Sequence, residues 1–377
     1  MVHLSLLSSL TVALAASSTL ASSEPPSKRG SRRAASIKAS PECTFTDAAS
    51  AEAGKGSCST IRLSNVNVAA GETLDLSNLK QGTKVIFQGT TTFGYKEWMG
   101  PLIQVSGSNL DISGASGAVI DAGGARWWDG KGGNGGKTKP KLFSAHNLKN
   151  SKIRWLSIKN TPVQGFSING CTNLEVDHVT IDNSAGDTAG GHNTDAFDVG
   201  SSEGVYMTNA SVYNQDDCLA VNSGTDIVFS GGYCSGGHGL SIGSVGGRSD
   251  NTVDGVVIAN SNVVKSQNGV RIKTVSGATG LVNNVTYSNI QMSGISKYGI
   301  DIQQDYLNGG ATGTLTNGVK VTNVMMNGIT GCVSSKAVAV YVLCGQGSCA
   351  NWSWKGVSIS GGQRSSKCTH VPSPAHC

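Results

Sequence analysis

The sequence predicts an all-β protein wound as a parallel β-helix, a single-stranded solenoid, and three observations carry that prediction. One short phrase recurs: a polar group, a small residue or cysteine, an apolar residue, a polar or small one, and a second apolar residue. It appears as Asp195-Ala196-Phe197-Asp198-Val199, Asp217-Cys218-Leu219-Ala220-Val221, His238-Gly239-Leu240-Ser241-Ile242, Asn268-Gly269-Val270-Arg271-Ile272 and Tyr298-Gly299-Ile300-Asp301-Ile302. Alternation within each phrase is that of a short strand. The closing apolar residues are 22, 21, 30 and 30 residues apart, a recurrence that stacks strand on strand. The second observation is composition: charged residues are 14% of the chain, Gly reaches 51 of 377 and Pro only 8, with no long helical periodicity. The third is the Asn-led turn signal before apolar pairs, as in Asn109-Leu110-Asp111-Ile112 and Asn173-Leu174-Glu175-Val176. A sandwich or propeller would instead show tight hairpin signals at regular intervals.

Taken from the start, residues 1–16 hold a Leu/Val/Ala core closed by Ala13-Leu14-Ala15. That is the form of a signal peptide, and the run falls short of the roughly 20 apolar residues a membrane span needs. Residues 17–33 are Ser- and Pro-containing and carry Lys28-Arg29 and Arg32-Arg33, which reads as a pro-segment cut at dibasic sites. Residues 34–377 remain as one catalytic domain, expected to be secreted and extracellular. Loss of residues 1–33 removes four cations and one acid, so the formal charge of +5 becomes +2. The basic balance therefore belongs to the leader and gives no support to a nucleic-acid partner. No membrane association is expected, and the chain is expected to act as a monomer.

Ten cysteines suit an oxidising compartment. Pairing by proximity joins Cys43 to Cys58, Cys218 to Cys234, Cys344 to Cys349 and Cys368 to Cys377, although ten cysteines permit many connectivities. Cys171 and Cys332 are left over, both in Gly-Cys contexts suited to burial as free thiols. The segment Thr44–Ser57 allows a helical turn. The first 60 or so mature residues are expected to cap one end of the solenoid, and the Cys-rich C-terminus the other. Acceptor triplets begin at Asn209, Asn284 and Asn351, each a candidate surface glycosylation site.

The chemistry concentrates between Asn193 and Lys273. If coils stack about 4.8 Å apart, counting along the phrases puts Asp195, Asp217 and His238 at equivalent positions on three successive coils. Asp216 is one residue out of that line and points differently. Three carboxylates and a histidine gathered on one patch perturb one another's protonation, which is costly unless used. Paired carboxylates of this kind serve glycoside hydrolysis, one donating a proton to the leaving oxygen while others activate water. Arg271 and Lys273 stand at i and i+2, facing one way, two coils from the acids, where they could hold an acidic sugar by its carboxylate. A separation of about 6.5–9.5 Å between acid and base would accompany inversion.

Asn193-Thr194-Asp195, Gln215-Asp216-Asp217, Gly237-His238-Gly239 and Arg271-Ile272-Lys273 resemble, in order and spacing, the signature of family-28 glycoside hydrolases of the fungal endopolygalacturonase type. The resemblance covers nearly the whole mature chain. It implies a right-handed β-helix and hydrolysis of internal α-1,4-galacturonosyl linkages of polygalacturonate, the demethylated form of pectin, with inversion. It implies Asp216 as general acid, Asp195 and Asp217 as the pair positioning water, and His238 as the residue tuning the acid. Asn193, Arg271, Lys273 and Tyr306 are implied to contact substrate. The local cysteine pairs agree with that family's disulfides.

His146, His178 and His192 lie outside these motifs and read as structural. No zinc-type Cys/His spacing and no phosphate-cradling glycine motif occurs, so no metal or cofactor is expected, and Gly130–Gly136 reads as a flexible loop. Rival readings are an exo-acting galacturonase, a rhamnogalacturonan hydrolase, a calcium-dependent pectate lyase and a non-catalytic carbohydrate-binding solenoid. The Asp216-Asp217 doublet with His238 favours hydrolysis.

Overall fold

Val199, Val221, Ile242, Ile272 and Ile302, which close the five repeated phrases, lie side by side in parallel register, every one fully buried. A second inward ladder runs Phe143, Phe166, Phe197, Leu219, Leu240, Val270 and Ile300. Its phenylalanine rings sit 4.7 and 5.4 Å apart. These ladders are the core: each coil buries its apolar face against the next. The computed structural model describes residues 41–307 and 309–377. The expected signal peptide and pro-segment, residues 1–33, lie outside the described residues.

The coils form a right-handed parallel β-helix, the sense that parallel crossovers take. Strands along its length pair in parallel; among the described residues the antiparallel exception is Tyr306 with Ala311 and Leu307 with Gly310. The corners repeat as well. Trp155, His178, Asn209, Gly231, Asn260, Asn289, Gly328 and Gly356 each follow a register-matched strand residue. All eight have left-handed φ, between 50° and 71°. Asn and Gly adopt that conformation at least cost, which explains the Asn-led turn signals. The three glycosylation candidates, Asn209, Asn284 and Asn351, are exposed residues at such left-handed corners.

The N-terminal cap is shorter than expected. It comprises the helix Ala48–Gly54, started by Asp47 accepting from the Ser50 amide at 2.8 Å, and the turn Lys55–Ser57. The strand Thr60–Val68 already belongs to the coils, because its alternating pattern pairs with Lys84–Gln88. At the far end, residues 363–369 pair with Val338–Leu343 and close the groove-bearing sheet. All four disulfides form as paired by proximity. Cys171 is a buried free thiol, but Cys332 is exposed: strand alternation turns it outward between the inward-facing Ile329 and Val333.

Candidate active site

Because side chains alternate along each strand, residues between the core ladders project outward in rows. Asp198, Ala220, Ser241, Arg271, Asp301 and Tyr341 form one such row in register. It lies along a groove of 640 Å³ lined by Asp195, Asp216, Asp217, His238, Arg271, Lys273 and Tyr306, among others.

Side-chain hydrogen bonds knit the motifs of adjacent coils. Asn193 donates through Nδ2 to Asp216 Oδ2 at 2.8 Å. Thr194 Oγ1 accepts from the Gln215 amide at 2.8 Å and donates to Gln215 Oε1 at 2.9 Å. Buried Asn214 donates to the carbonyls of Thr194 and Asp217 at 2.9 and 3.0 Å. The Asn193 carbonyl oxygen of the side chain accepts from Gly133 N and Asn134 Nδ2. Asp129 meanwhile accepts from the amides of Lys131 and Lys137. Gly130–Gly136, expected as a flexible loop, is therefore pinned at both ends and against the site.

The histidine's register differs from the count along the sequence. Asp217 pairs with Gly239 and Leu219 with Leu240, so a bulge falls at Cys218, whose sulfur is bonded to Cys234. The inserted residue moves His238 from Asp217 to Asp216. The His238 amide donates to the Asp216 carbonyl at 2.8 Å, and Nδ1 lies 2.9 Å from Asp216 Oδ1. Asp216, Asp217 and His238 converge to within 4.8 Å. That is shorter than the acid–base separation expected for inversion, because the two acids are chain neighbours, so this spacing does not decide stereochemistry.

Asp216 and Asp195 are shifted in opposite directions. Burial pushes the Asp216 carboxyl up, but the His238 hydrogen bond and charge outweigh it and hold it down to about 2. Asp195 is raised well above the usual carboxylate range, by burial first and then by Asp216, Asp198 and Asp217. Asp217 accepts from Ser241 Oγ at 2.6 Å and from the Lys273 ammonium at 2.6 Å. Burial also raises Asp198 to about 6. Arg271 is the second buried cation of the groove: Nε lies 3.0 Å from buried Asp301. The Tyr306 ring covers both cations, 5.5 Å from the guanidinium and 5.4 Å from the ammonium.

Residues 58–377 match the sequence profile of glycosyl hydrolases family 28. The chain belongs to that family. It is similar to the probable endopolygalacturonase B of Aspergillus flavus, 64% identical over 341 residues, covering 90% of this chain and 93% of that one. Endopolygalacturonase 1 of Colletotrichum lindemuthianum is 65% identical over 337 residues, 89% and 92% of the two chains. Among solved structures, endopolygalacturonase I of Stereum purpureum with two bound galacturonates superposes with a TM-score of 0.77 at 36% identity, covering 85% and 95%. A family-28 chain is a glycoside hydrolase, so the lyase and non-catalytic solenoid readings fall away.

This family-28 groove also holds residues that motif reading passed over. Ser241 and Asn214 touch Asp217 directly, yet a lone Ser on a strand or Asn in the turn before one carries no signal in sequence. Asp198 and Asp301 sat inside the repeated phrases as their polar members. Exposed Lys141, Arg248 and Lys297 line the groove beyond Arg271 and Lys273. His146 and His192, read as structural, also line it, with His146 Nε2 2.9 Å from Ser167 Oγ. His178 lies elsewhere, on the corner column beside Asp177.

Proposed function

We propose that this chain is a secreted, monomeric endopolygalacturonase that hydrolyses internal α-1,4-galacturonosyl linkages of demethylated pectin by acid–base catalysis with inversion. The observation that carries this reading is one groove holding three carboxylates and a histidine beside Arg271 and Lys273 under the Tyr306 ring. The endopolygalacturonase names of relatives at 64–65% identity support it.

In this reading a water held by Asp195 and Asp217 attacks the anomeric carbon and gives its proton to Asp217. The bond to the leaving oxygen breaks as that oxygen takes a proton from Asp216. Asp216 is reprotonated through the imidazole of His238, whose Nδ1 lies 2.9 Å from its Oδ1. Arg271 engages a galacturonate carboxylate with its free guanidinium nitrogens, Lys273 contributes charge, and Tyr306 stacks over both. Asn193 tethers Asp216 and borders the sugar site.

A second assignment of the donor has its own support: Asp195 is the carboxyl whose surroundings favour the protonated form. Leaving-group dependence separates the two. Asp216→Asn is expected to lower turnover on polygalacturonate by about 10²–10⁴-fold, with the rate recovering on an oligogalacturonide bearing a phenolate leaving group. If Asp195→Asn shows that recovery and Asp216→Asn does not, the roles are exchanged. Proton NMR of the first-formed product is expected to show the inverted anomer.

A further inference from the structure

Trp155 is the outlier of its corner column. Six of the eight register-matched corner positions are Asn or Gly, and His178 is tied to Asp177 at 2.7 Å. Trp155 holds φ at 55°, a conformation unfavourable for a bulky side chain. Burial would ordinarily offset that, but Trp155 is 53% exposed. A strained backbone under an exposed aromatic marks a position held for contact with something else.

Its surroundings form a platform. The Arg154 guanidinium, fixed by two hydrogen bonds to Asp111 at 3.0 and 2.6 Å, stacks 4.7 Å from the indole centroid. Tyr206, 42% exposed, lines the same surface groove. It is in register with Lys152 two coils along the same outer sheet, so its backbone lies about 9.6 Å from Trp155 across the strands and about 10 Å along them. Two rigid aromatic faces at that interval meet different sugars of one extended chain.

Charge selects the kind of chain. Around the platform Lys152 pairs with Glu175 at 2.8 Å, Arg154 with Asp111 and His178 with Asp177, so the cations are matched. The catalytic groove, by contrast, presents exposed Lys141, Arg248 and Lys297. An anionic polyuronate gains nothing from a balanced surface. A chain of uncharged pyranoses with equatorial linkages presents flat C–H faces that bury well against indole and phenol.

We infer that Trp155 and Tyr206 form a second glycan-binding surface, outside the catalytic groove, for an uncharged β-1,4-linked glucan. The site anchors the enzyme to a neutral polymer while the groove works on the acidic one.

The test uses Ser211→Ala with Ser157→Ala as background, so that no glycan competes on Asn209 or on the acceptor triplet that Trp155→Asn would otherwise create with Ser157. Binding to swollen cellulose and to soluble xyloglucan is measured by depletion and affinity electrophoresis, with polygalacturonate as the acidic comparison on an Asp216→Asn form. Retention on a neutral glucan is expected, with Trp155→Asn weakening it by about 10-fold or more. Trp155→Asn is also expected to melt about 1–3 °C higher, because Asn suits the left-handed corner. Turnover of soluble polygalacturonate should be unchanged. Binding of cellulose alone or xyloglucan alone identifies which glucan the surface takes. Failure to bind either, binding equal in the variant, or Trp155-dependent binding of polygalacturonate instead, overturns the inference.

Discussion

Lys273 and Asp217 stand two coils apart, yet the Lys273 ammonium lies 2.6 Å from Asp217 Oδ2, with both side chains buried. The lysine that resembles a substrate binder is thus already the partner of Asp217, one of the two acids proposed to position water. Lys273→Ala leaves a buried carboxylate unpaired, which costs about 3–5 kcal/mol if the charge is kept. It is expected to lower kcat by about 10²-fold and reduce Tm, beyond any rise in KM. Steady-state kinetics with a thermal melt check this, and a change in KM alone would contradict it.

Arg271 is expected to behave differently, because its partner Asp301 lies beneath it and its contacts spare Asp217. Arg271→Ala should raise KM on polygalacturonate and flatten the dependence on methyl esterification. A charge-assisted hydrogen bond to a carboxylate contributes about 1.5–3 kcal/mol, and an ester cannot make it. Initial rates on polymers of graded esterification provide the measurement, and an unchanged dependence argues against carboxylate reading by Arg271.

His238→Ala removes the group that holds Asp216 down to about 2. Without that hydrogen bond and charge, burial dominates and the Asp216 pKa rises. The Asp216 carboxyl, followed by carbon NMR, is expected to titrate at higher pH in the variant than in the wild type. An unchanged midpoint would detach His238 from Asp216.

Asp301 predicts a stability profile. Burial raises its carboxyl to about 6, against the lowering charges of Arg271, Lys297 and Lys273. The folded state therefore keeps a proton that the unfolded chain releases near pH 4. Stability contributed by that proton is present below about pH 4 and lost as pH rises through about 6, on the order of 2–3 kcal/mol. Asp216 acts with the opposite sign: its contribution is present above about pH 4 and lost as pH falls toward 2. Maximum Tm is expected near pH 4–5, and Asp301→Asn should flatten the decline toward pH 7. Calorimetry across that range decides it.

The repeated phrases were enough to read strand, stacking and the core ladder from Val199 to Ile302, because alternation and recurrence are local properties of a chain that must bury one face per coil. The motifs likewise named Asp195, Asp216, Asp217, His238, Arg271 and Lys273, since a solenoid brings like positions of successive coils together. Counting along the phrases could not foresee the bulge at Cys218. That extra residue depends on how two strands pair, and it alone decides that His238 meets Asp216. Nor could sequence show that Lys273 spans two coils to Asp217, that Ser241 and Asn214 support the same acid, or that Cys332 faces outward. Those contacts are set by side-chain reach across neighbouring coils, a distance that periodicity along the chain does not contain.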